Sequence, residues 1–149
     1  MHEDSCPFCR IVAGEASAEI LYEGPESVAF LDINPINFGH ALIVSRQHFE
    51  DFNDLPDDVL IEIVGALRIV ARAIVDSVHP AGFNIFNNNG IAAGQSVFHF
   101  HFHVAPRYEG DGLKIRPHLK TYESPEQMKE YAKLIRGKIK VNDNSGERK

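Results

Sequence analysis

The sequence of 149 residues has no tryptophan, only two cysteines and no long apolar run. A helix that spans a bilayer needs about 20 consecutive apolar residues, so we expect no membrane segment. The first ten residues, MHEDSCPFCR, lack the basic start and apolar core of a secretion signal, which predicts a cytoplasmic protein. In that reducing compartment, the Cys6-x-x-Cys9 spacing favours a metal or redox role over a structural disulfide.

Positive charge is also scarce, because 15 Lys and Arg stand against 21 Asp and Glu, a net charge of -6. A protein that binds the phosphate backbone of nucleic acid needs a basic surface, so we expect no nucleic-acid partner. Hydrophobic residues make up 44% of the sequence, enough for one compact domain with a core. The sequence contains no internal repeat and no sign of a second domain.

Hydrophobic periodicity predicts three helices. A short one at CPFCRIVAG ends at Gly14. The strongest covers residues 54–78, with Asp54 as its N-cap. Its apolar stripe consists of Leu60, Ile63, Leu67, Val70 and Ile74. The last begins at Ser124, where Gln127 completes a capping box, and its predicted buried side consists of Met128, Tyr131, Ile135 and Ile139.

Five strands are predicted: two in EILYEGPESVAFLDI, then one each in HALIVSRQHF, FNIF and SVFHFHFHVAPRY. Their order relative to the helices predicts an α+β fold, a five-stranded antiparallel meander with the helices packed on one face. We expect the residues from Asn142 onward to form a polar, frayed tail.

The most informative segment is GQSVFHFHFHVAPRY, residues 94–108, in which three histidines alternate with phenylalanines. Successive side chains of a strand point to opposite faces, so His99, His101 and His103 are predicted to share one face. The opposite face, toward the core, takes Phe98, Phe100, Phe102 and Val104. Two interpretations follow: a His-x-His pair chelates a catalytic metal, or one imidazole is a nucleophile that its neighbours assist.

HFHFHVA fits the pattern His-φ-His-φ-His-φ-φ, where φ is apolar, and the sequence here resembles the histidine triad (HIT) family of nucleotide hydrolases and transferases. CPFCRIVAGEASAEILYE, VAFLDINPINFGHALIVSRQHF and NNNGIAAGQSVFHFHFHVAPRYEGDGL resemble HIT segments in the same order. The resemblance covers residues 6–113, and we expect residues 114–149 to add a linker, a helix and the tail to the same domain. PRYEGDGL resembles the bacterial Hit branch, and the absence of tryptophan separates the chain from the Trp-containing C-terminus of the Hint branch.

The resemblance implies that His101 attacks the α-phosphorus of a nucleotide and forms a covalent nucleotidyl-histidine. Such a nucleophile needs a neutral ring whose other nitrogen is fixed by a hydrogen bond to a backbone carbonyl. His103 is expected to contact the α-phosphate, and Ser96 to bond the phosphate or the departing group. Backbone amides of the loop Gly94, Gln95, Ser96 and Val97 are expected to donate to phosphoryl oxygens.

For the nucleoside, the resemblance implies that Asp32 accepts both ribose hydroxyls and that Asn88 contacts the phosphate or ribose. Phe8, Ile11, Phe30 and Ile33 are placed like the apolar walls around the base, although core packing is an equally plausible role for each. His40 corresponds to an upstream histidine beside the triad and is given a supporting role. A purine nucleotide is the expected ligand.

Cys6, Cys9, His48 and His99 together form a Cys2His2 set suited to one tetrahedral zinc ion per chain. This set resembles the structural zinc site of part of the HIT superfamily, in which the first triad histidine is a ligand. A closed four-ligand site leaves no position for a substrate, so we expect the ion to tether the N-terminal helix to the sheet. A redox role is disfavoured, because no thioredoxin-like βαβ unit surrounds the cysteines.

Three functions follow from these residues. The preferred one is a nucleotide hydrolase or transferase, acting on a dinucleoside polyphosphate, an AMP-amine or a similar compound. The alternatives are a nucleotide-binding regulatory module with little turnover, and a zinc hydrolase that uses the His-x-His strand.

The resemblance also implies a homodimer in which two sheets join. The strongest helix carries apolar residues beyond its main stripe that such a dimer would bury: Val59, Val64, Ala66, Ala71 and Val75.

Overall fold

Three helices and five strands are present in the computed structural model, which describes residues 3–113 and 119–140. They are, in chain order, α1 (Pro7–Val12), β1 (Ile20–Glu23), β2 (Ser27–Leu31), β3 (Ala41–Ser45), α2 (Asp57–Val78), β4 (Gly82–Phe86), β5 (His101–Arg107) and α3 (Pro125–Arg136). Among these described residues, no helix is both long and apolar enough to cross a membrane.

The chain divides into two compact units, residues 1–112 and 113–149. The first unit contains the sheet, α1 and α2, and the second contains α3. The prediction that residues 114–149 belong to the same domain as the preceding segment stays a prediction. Residues 114–118 of the expected linker and the expected tail from Asn142 lie outside the described residues.

The five strands form one antiparallel sheet in the order β1-β2-β3-β5-β4. The predicted antiparallel sheet of five strands is confirmed, but the predicted meander is wrong, because β5 lies between β3 and β4. The 22-residue helix α2 connects β3 to β4 and carries the chain past one strand position. A connection that contains a helix does not have to place its two strands side by side. After β4 the chain reverses direction, and β5 pairs with β4 on one side and with β3 on the other.

Helices cover both faces of the sheet, contrary to the prediction of one face. α2 packs on the first face, against a cluster that includes Ala29, Ile43, Phe100 and Val104. α1 packs on the second face, against Val28, Phe30, Leu42 and Val44. Consecutive buried residues along β2 and β3 are the sequence feature of strands buried on both faces.

The strongest predicted helix is present, but it begins at Asp57 after Pro56 rather than at Asp54. Asp54 belongs to a separate 3-10 turn that is capped by the side chain of Asp51, so its predicted role as the N-cap is wrong. The predicted stripe packs against the sheet, with Leu60 only partly buried. The helix ends at Val78, and the next residue, His79, caps it in the left-handed conformation with φ 46°.

The third helix begins where predicted, since the Ser124 hydroxyl accepts a hydrogen bond from the Gln127 amide at 3.1 Å. The Gln127 side chain accepts from the amide of Glu123 rather than from that of Ser124. The predicted buried side of this helix is wrong, because each of its residues is more than half exposed: Met128, Tyr131, Ile135 and Ile139.

Candidate active site and metal centre

The three histidines lie on one side of the sheet, although β5 begins only at His101 and residues 96–100 are irregular. The ring of Phe8, from α1, contacts both His99 and His101, with centroids 5.9 and 5.1 Å away. Phe100 is buried under α2 on the opposite face. The predicted sharing of faces is therefore confirmed for the histidines. Phe98 is an exception to the prediction for the core face, because it is 43% exposed.

His101 is held as a neutral imidazole with one defined tautomer. Its Nδ1 lies 2.6 Å from the main-chain carbonyl oxygen of His99, so Nδ1 carries the proton and Nε2 keeps its lone pair. The predicted hydrogen bond to a backbone carbonyl is thus present. Burial lowers the pKa of His101, while the bond to His99 and the charge of Asp32 act in the opposite direction. The lone pair of Nε2 is what a nucleophile at phosphorus requires.

A chain of hydrogen bonds sets the tautomer of His103. The amide of Ile36 donates to Nδ1 of His40 at 3.1 Å, so the proton of His40 resides on Nε2. That Nε2 lies 3.0 Å from Nδ1 of His103 and donates to it. The proton of His103 is therefore on its Nε2, which is left as a donor for a ligand.

Burial keeps this pair of histidines uncharged near neutral pH. Burial, together with the neighbouring His101 and His40, lowers the pKa of His103 to about 3. Burial also lowers the pKa of His40, against the opposing effect of the Asp32 carboxylate. The site consequently offers directed N–H donors and lone pairs rather than a cluster of positive charges.

Asp32 follows β2 and lies beside His40. Its Oδ1 accepts from the amide of Asn34 at 2.8 Å, and its Oδ2 lies 3.6 Å from Nδ1 of His40. Donor atoms of Asp32, His40 and His103 are close enough together to hold a metal ion. The amide of Ile36, however, occupies the lone pair of His40 Nδ1, and the hydrogen-bond chain accounts for the arrangement without an ion.

Gln95 is a structural residue of the loop that precedes the triad. It is buried, its Oε1 accepts from the amide of Gly90 at 2.7 Å, and its Nε2 donates to the carbonyl of Glu50 at 2.7 Å. Its side chain is therefore committed within the protein, whereas the contact with substrate expected of this residue was through its backbone amide. These two side-chain hydrogen bonds hold the loop in its conformation.

The backbone amides of the same loop divide into two pairs. Those of Gly94 and Gln95 already donate to the carbonyls of Ile91 and Gly90. Those of Ser96 and Val97 donate to no acceptor in the described segments 3–113 and 119–140, and the Ser96 side chain is exposed. Only the second pair can donate to a phosphoryl oxygen.

The residues expected around the nucleoside differ in how far they are exposed. Phe8 and Phe30 are buried, with ring centroids 5.5 Å apart, so they serve the core beneath the histidines. Ile33 is 91% exposed, and Ile11 is partly buried. The Asn88 side chain reaches across its loop to the carbonyl of Gly94 at 3.4 Å.

The four predicted metal-binding residues come together, with donor atoms all within 4.8 Å of one another. Nδ1 of His99 lies 3.3 Å from the sulfur of Cys6 and 3.6 Å from that of Cys9. Nδ1 of His48 lies 3.4 Å from the Cys9 sulfur. Two thiols and two imidazole nitrogens aimed at one point are a donor set that fits tetrahedral zinc.

The outer nitrogens of both metal-site histidines are also bonded. Nε2 of His99 donates to the carbonyl of Ser45 at 2.7 Å, and Nε2 of His48 lies 3.0 Å from a carboxylate oxygen of Glu3. Such outer partners fix the tautomer that presents Nδ1 to a metal. His101 does not belong to this group of donors.

Two residues of this region had no place in the sequence predictions. Phe86 stacks on His103, with centroids 4.3 Å apart and ring planes at 10°. The side chain of Asn87 donates to the carbonyl of His101 at 2.8 Å. Both follow from the pairing of β4 with β5, so the register of that strand pair is the feature that would have found them.

We expect a His103→Gln variant to change the pH dependence of stability. The folded His103 resists protonation down to a pKa of about 3, whereas the unfolded residue titrates near 6.5. The free energy of unfolding should therefore fall as the pH drops below that value, by at most about 1.4 kcal/mol per pH unit for this residue. Urea unfolding of both proteins across this acid range should give the variant the smaller slope. Equal slopes would contradict the assignment of a buried, neutral His103.

Comparison with known proteins agrees with this architecture. Residues 13–110 match the model of the HIT domain family. The chain is 38% identical to Protein hit of Bacillus subtilis over 89% of this chain and 92% of that protein. It is 38% identical to adenosine 5'-monophosphoramidase hnt1 of Schizosaccharomyces pombe over 91% of this chain and 99% of that one. It is 35% identical to adenylylsulfatase HINT3 of Arabidopsis thaliana over 89% of this chain and 67% of that one.

Solved structures give the same result. A crystal structure of a HIT family protein from Bacillus subtilis superimposes with a TM-score of 0.85 at 37% identity, covering 93% of this chain and 99% of that chain. A zinc-bound histidine triad protein from Mycobacterium smegmatis superimposes with a TM-score of 0.69 at 36% identity, covering 89% and 96%. With the triad, the sheet order and these likenesses in agreement, the chain belongs to the HIT family.

Proposed function

We propose that the protein is a nucleotide hydrolase or transferase that acts at the α-phosphate through a covalent nucleotidyl-His101. One observation carries this proposal: the bond from His101 Nδ1 to the His99 carbonyl leaves the Nε2 lone pair available. Relatives named as an adenylylsulfatase and an adenosine 5'-monophosphoramidase support an adenylyl substrate. An AMP-amine or a dinucleoside polyphosphate contains the required α-phosphate.

In the first step, Nε2 of His101 attacks the α-phosphorus, a new N–P bond forms and the bond to the leaving group breaks. The Nε2–H of His103 donates to a phosphoryl oxygen as negative charge develops there. The amides of Ser96 and Val97 supply further donors to the same group, and Ser96 Oγ bonds the phosphate or the leaving group. The leaving group departs with its electron pair and takes up a proton from solvent.

In the second step, a water or another acceptor attacks the phosphorus and releases its proton to solvent, the N–P bond breaks and its electron pair returns to Nε2, which regenerates neutral His101. Asp32 accepts hydrogen bonds from the ribose hydroxyls through the acceptor positions that Asn34 leaves open. Exposed Ile33 covers one side of the base, and Asn88 contacts the phosphate or ribose. These residues hold the nucleotide while the phosphorus is transferred.

The two alternatives differ in their support. The zinc hydrolase is disfavoured, because the ring of His99 faces the cysteines while His101 lies outside that group. A regulatory module would keep the same binding residues but show tight nucleotide binding with no turnover. Release of AMP from AMP-amines and diadenosine polyphosphates separates the module from the enzyme.

Replacing His101 by Asn should reduce turnover by at least ~10³-fold, because the nucleophile is lost while nucleotide binding is kept. Rapid-quench mass spectrometry of the wild type should find a nucleotide attached at His101 alone. The variant His79→Gln, at an exposed position where α2 ends, is the control and should retain activity. Full turnover by the His101 variant would contradict the covalent mechanism.

We also propose that Cys6, Cys9, His48 and His99 hold one structural zinc ion per chain, supported by their convergence in space and by the zinc-bound relative. Burial raises the pKa of the Cys6 thiol, and a bound zinc ion favours its thiolate form. The ion would join α1 to the start of β5, at a distance from the reacting phosphorus.

Elemental analysis of protein purified without added metal should therefore find about one zinc ion per chain. A Cys6→Ser variant should contain less zinc and unfold more easily. Ser17→Ala, at an exposed serine outside the group of ligands, is the control and should keep both properties. Unchanged zinc content in the Cys6 variant would contradict the assignment.

We propose that two copies of the chain form a homodimer through the surface where α2 meets β4 at the edge of the sheet. An apolar groove of about 490 Å³ lies there, lined by residues that include Val64, Leu67, Ala71, Val75, Phe83 and Ile85. Of the five apolar residues of α2 that a dimer was expected to bury, three lie in the core of the single chain: Val59, Ala66 and Ala71. Val64 and Val75 are left to contribute to the dimer surface. A second copy related by a two-fold axis would bury this groove.

Light scattering at micromolar concentration should give a mass near twice the 16.7 kDa of one chain. Ile85→Lys should shift the protein toward the monomer, because it places a charge in the groove. Ile61→Lys, at a position that is 73% exposed and outside the groove, is the control. A monomeric wild type would count against the proposed interface.

A further inference from the structure

Phe86 is the last residue of β4, and the strand register places it directly opposite His103. Its ring lies face to face with the imidazole, with centroids 4.3 Å apart and planes at 10°. The ring is also 6.3 Å from that of His40. Phe86 therefore contacts the face of His103, while His40 contacts its Nδ1.

The hydrogen bond and the stacked ring constrain different motions of His103. The bond from His40 selects which nitrogen carries the proton, but one hydrogen bond leaves the ring free to tilt about its axis. A stacked aromatic ring resists that tilt, because planar contact is lost as soon as the ring turns. His101 contacts the imidazole from a third direction, with centroids 4.8 Å apart and planes at 62°. Together these contacts define the direction of the free Nε2–H.

We infer that Phe86 is a positioning residue for the nucleotide reaction, whose ring holds the plane of His103 so that Nε2–H is aimed at a phosphoryl oxygen. It acts through His103, and the inference rests on the function proposed above for that residue. Phe86 itself carries no polar atom and takes no part in bond making.

The same ring keeps water from one face of a partly buried imidazole. The titratable groups that face His103 are His40 and His101, with the Asp32 carboxylate beyond His40. Loss of the Phe86 ring leaves these groups in place but admits water. The pKa of His103 should then rise from about 3 toward its usual 6.5.

The test compares Phe86→Leu, which keeps apolar volume but removes the planar face, with Phe86→Tyr, which keeps it. Phe52→Leu is the matched control, since Phe52 lies in the 3-10 turn before α2 and contacts Phe100 instead. Nitrogen-15 NMR of the histidine rings reports the tautomer of His103 in the free protein. Steady-state kinetics with an AMP-amine, measured across pH, reports how much His103 contributes to the reaction.

In the wild type, Phe86→Tyr and Phe52→Leu, His103 should show a single tautomer protonated at Nε2. Phe86→Leu should keep this tautomer, because the bond from His40 remains, but its His103 should titrate nearer 6.5 and its kcat/KM should fall by about two- to tenfold, the scale on which an aromatic pair contributes. Its activity should also fall more steeply toward acid pH than that of the other three proteins.

An unchanged His103 titration and pH profile of activity in Phe86→Leu would overturn the inference even if the wild type turns over nucleotides. A wild type without turnover would instead overturn the proposed function, and the NMR comparison would still decide whether Phe86 holds His103. Equal losses of activity in Phe86→Tyr and Phe86→Leu would also overturn the inference, because the planar face is kept in the first.

Discussion

The pairing of β3 with β5 is the constraint on which the histidine face depends. Its register sets Leu42 opposite His103 and Val44 opposite His101, which places His40 beside His103. It also brings the carbonyl of Ser45 to the ring of His99. Each triad histidine thus has one nitrogen bonded within the protein, and for His99 and His101 the partner is a main-chain carbonyl. The positions of the ring protons are consequently set by hydrogen bonds within the protein rather than by neighbouring charges.

Local patterns were sufficient for much of this fold. The period of α2 gave its buried stripe, because a helix on a sheet needs one continuous apolar face. The alternation of His and Phe gave the shared face of the triad, and the capping residues gave the start of α3. The grouping of Cys6, Cys9, His48 and His99 came from the resemblance to a family, since no periodicity links positions so far apart in the chain.

Features that depend on long-range register were not predictable in this way. The meander failed because α2 can carry the chain across any number of strand positions, and nothing local records how many. Phe86 was missed because the register of β4 on β5, which sets it opposite His103, is not recorded in either strand alone. The hydrogen bonds of the Gln95 side chain to Gly90 and Glu50 were not predicted, because they depend on how the loop closes in space. The stripe of α3 was read as buried because an amphipathic pattern states which side is apolar but not whether anything covers it.

His99 joins two parts of the molecule through different atoms. Its side chain faces the thiols of Cys6 and Cys9, while its carbonyl fixes the tautomer of His101. With zinc on those thiols, removing the ion would loosen the residue whose backbone orients His101, the proposed nucleophile. Under the proposed function, a chelator would then inhibit an enzyme in which the ion does not contact the substrate. Inhibition by chelators, normally a criterion for a metalloenzyme, would therefore misclassify this protein.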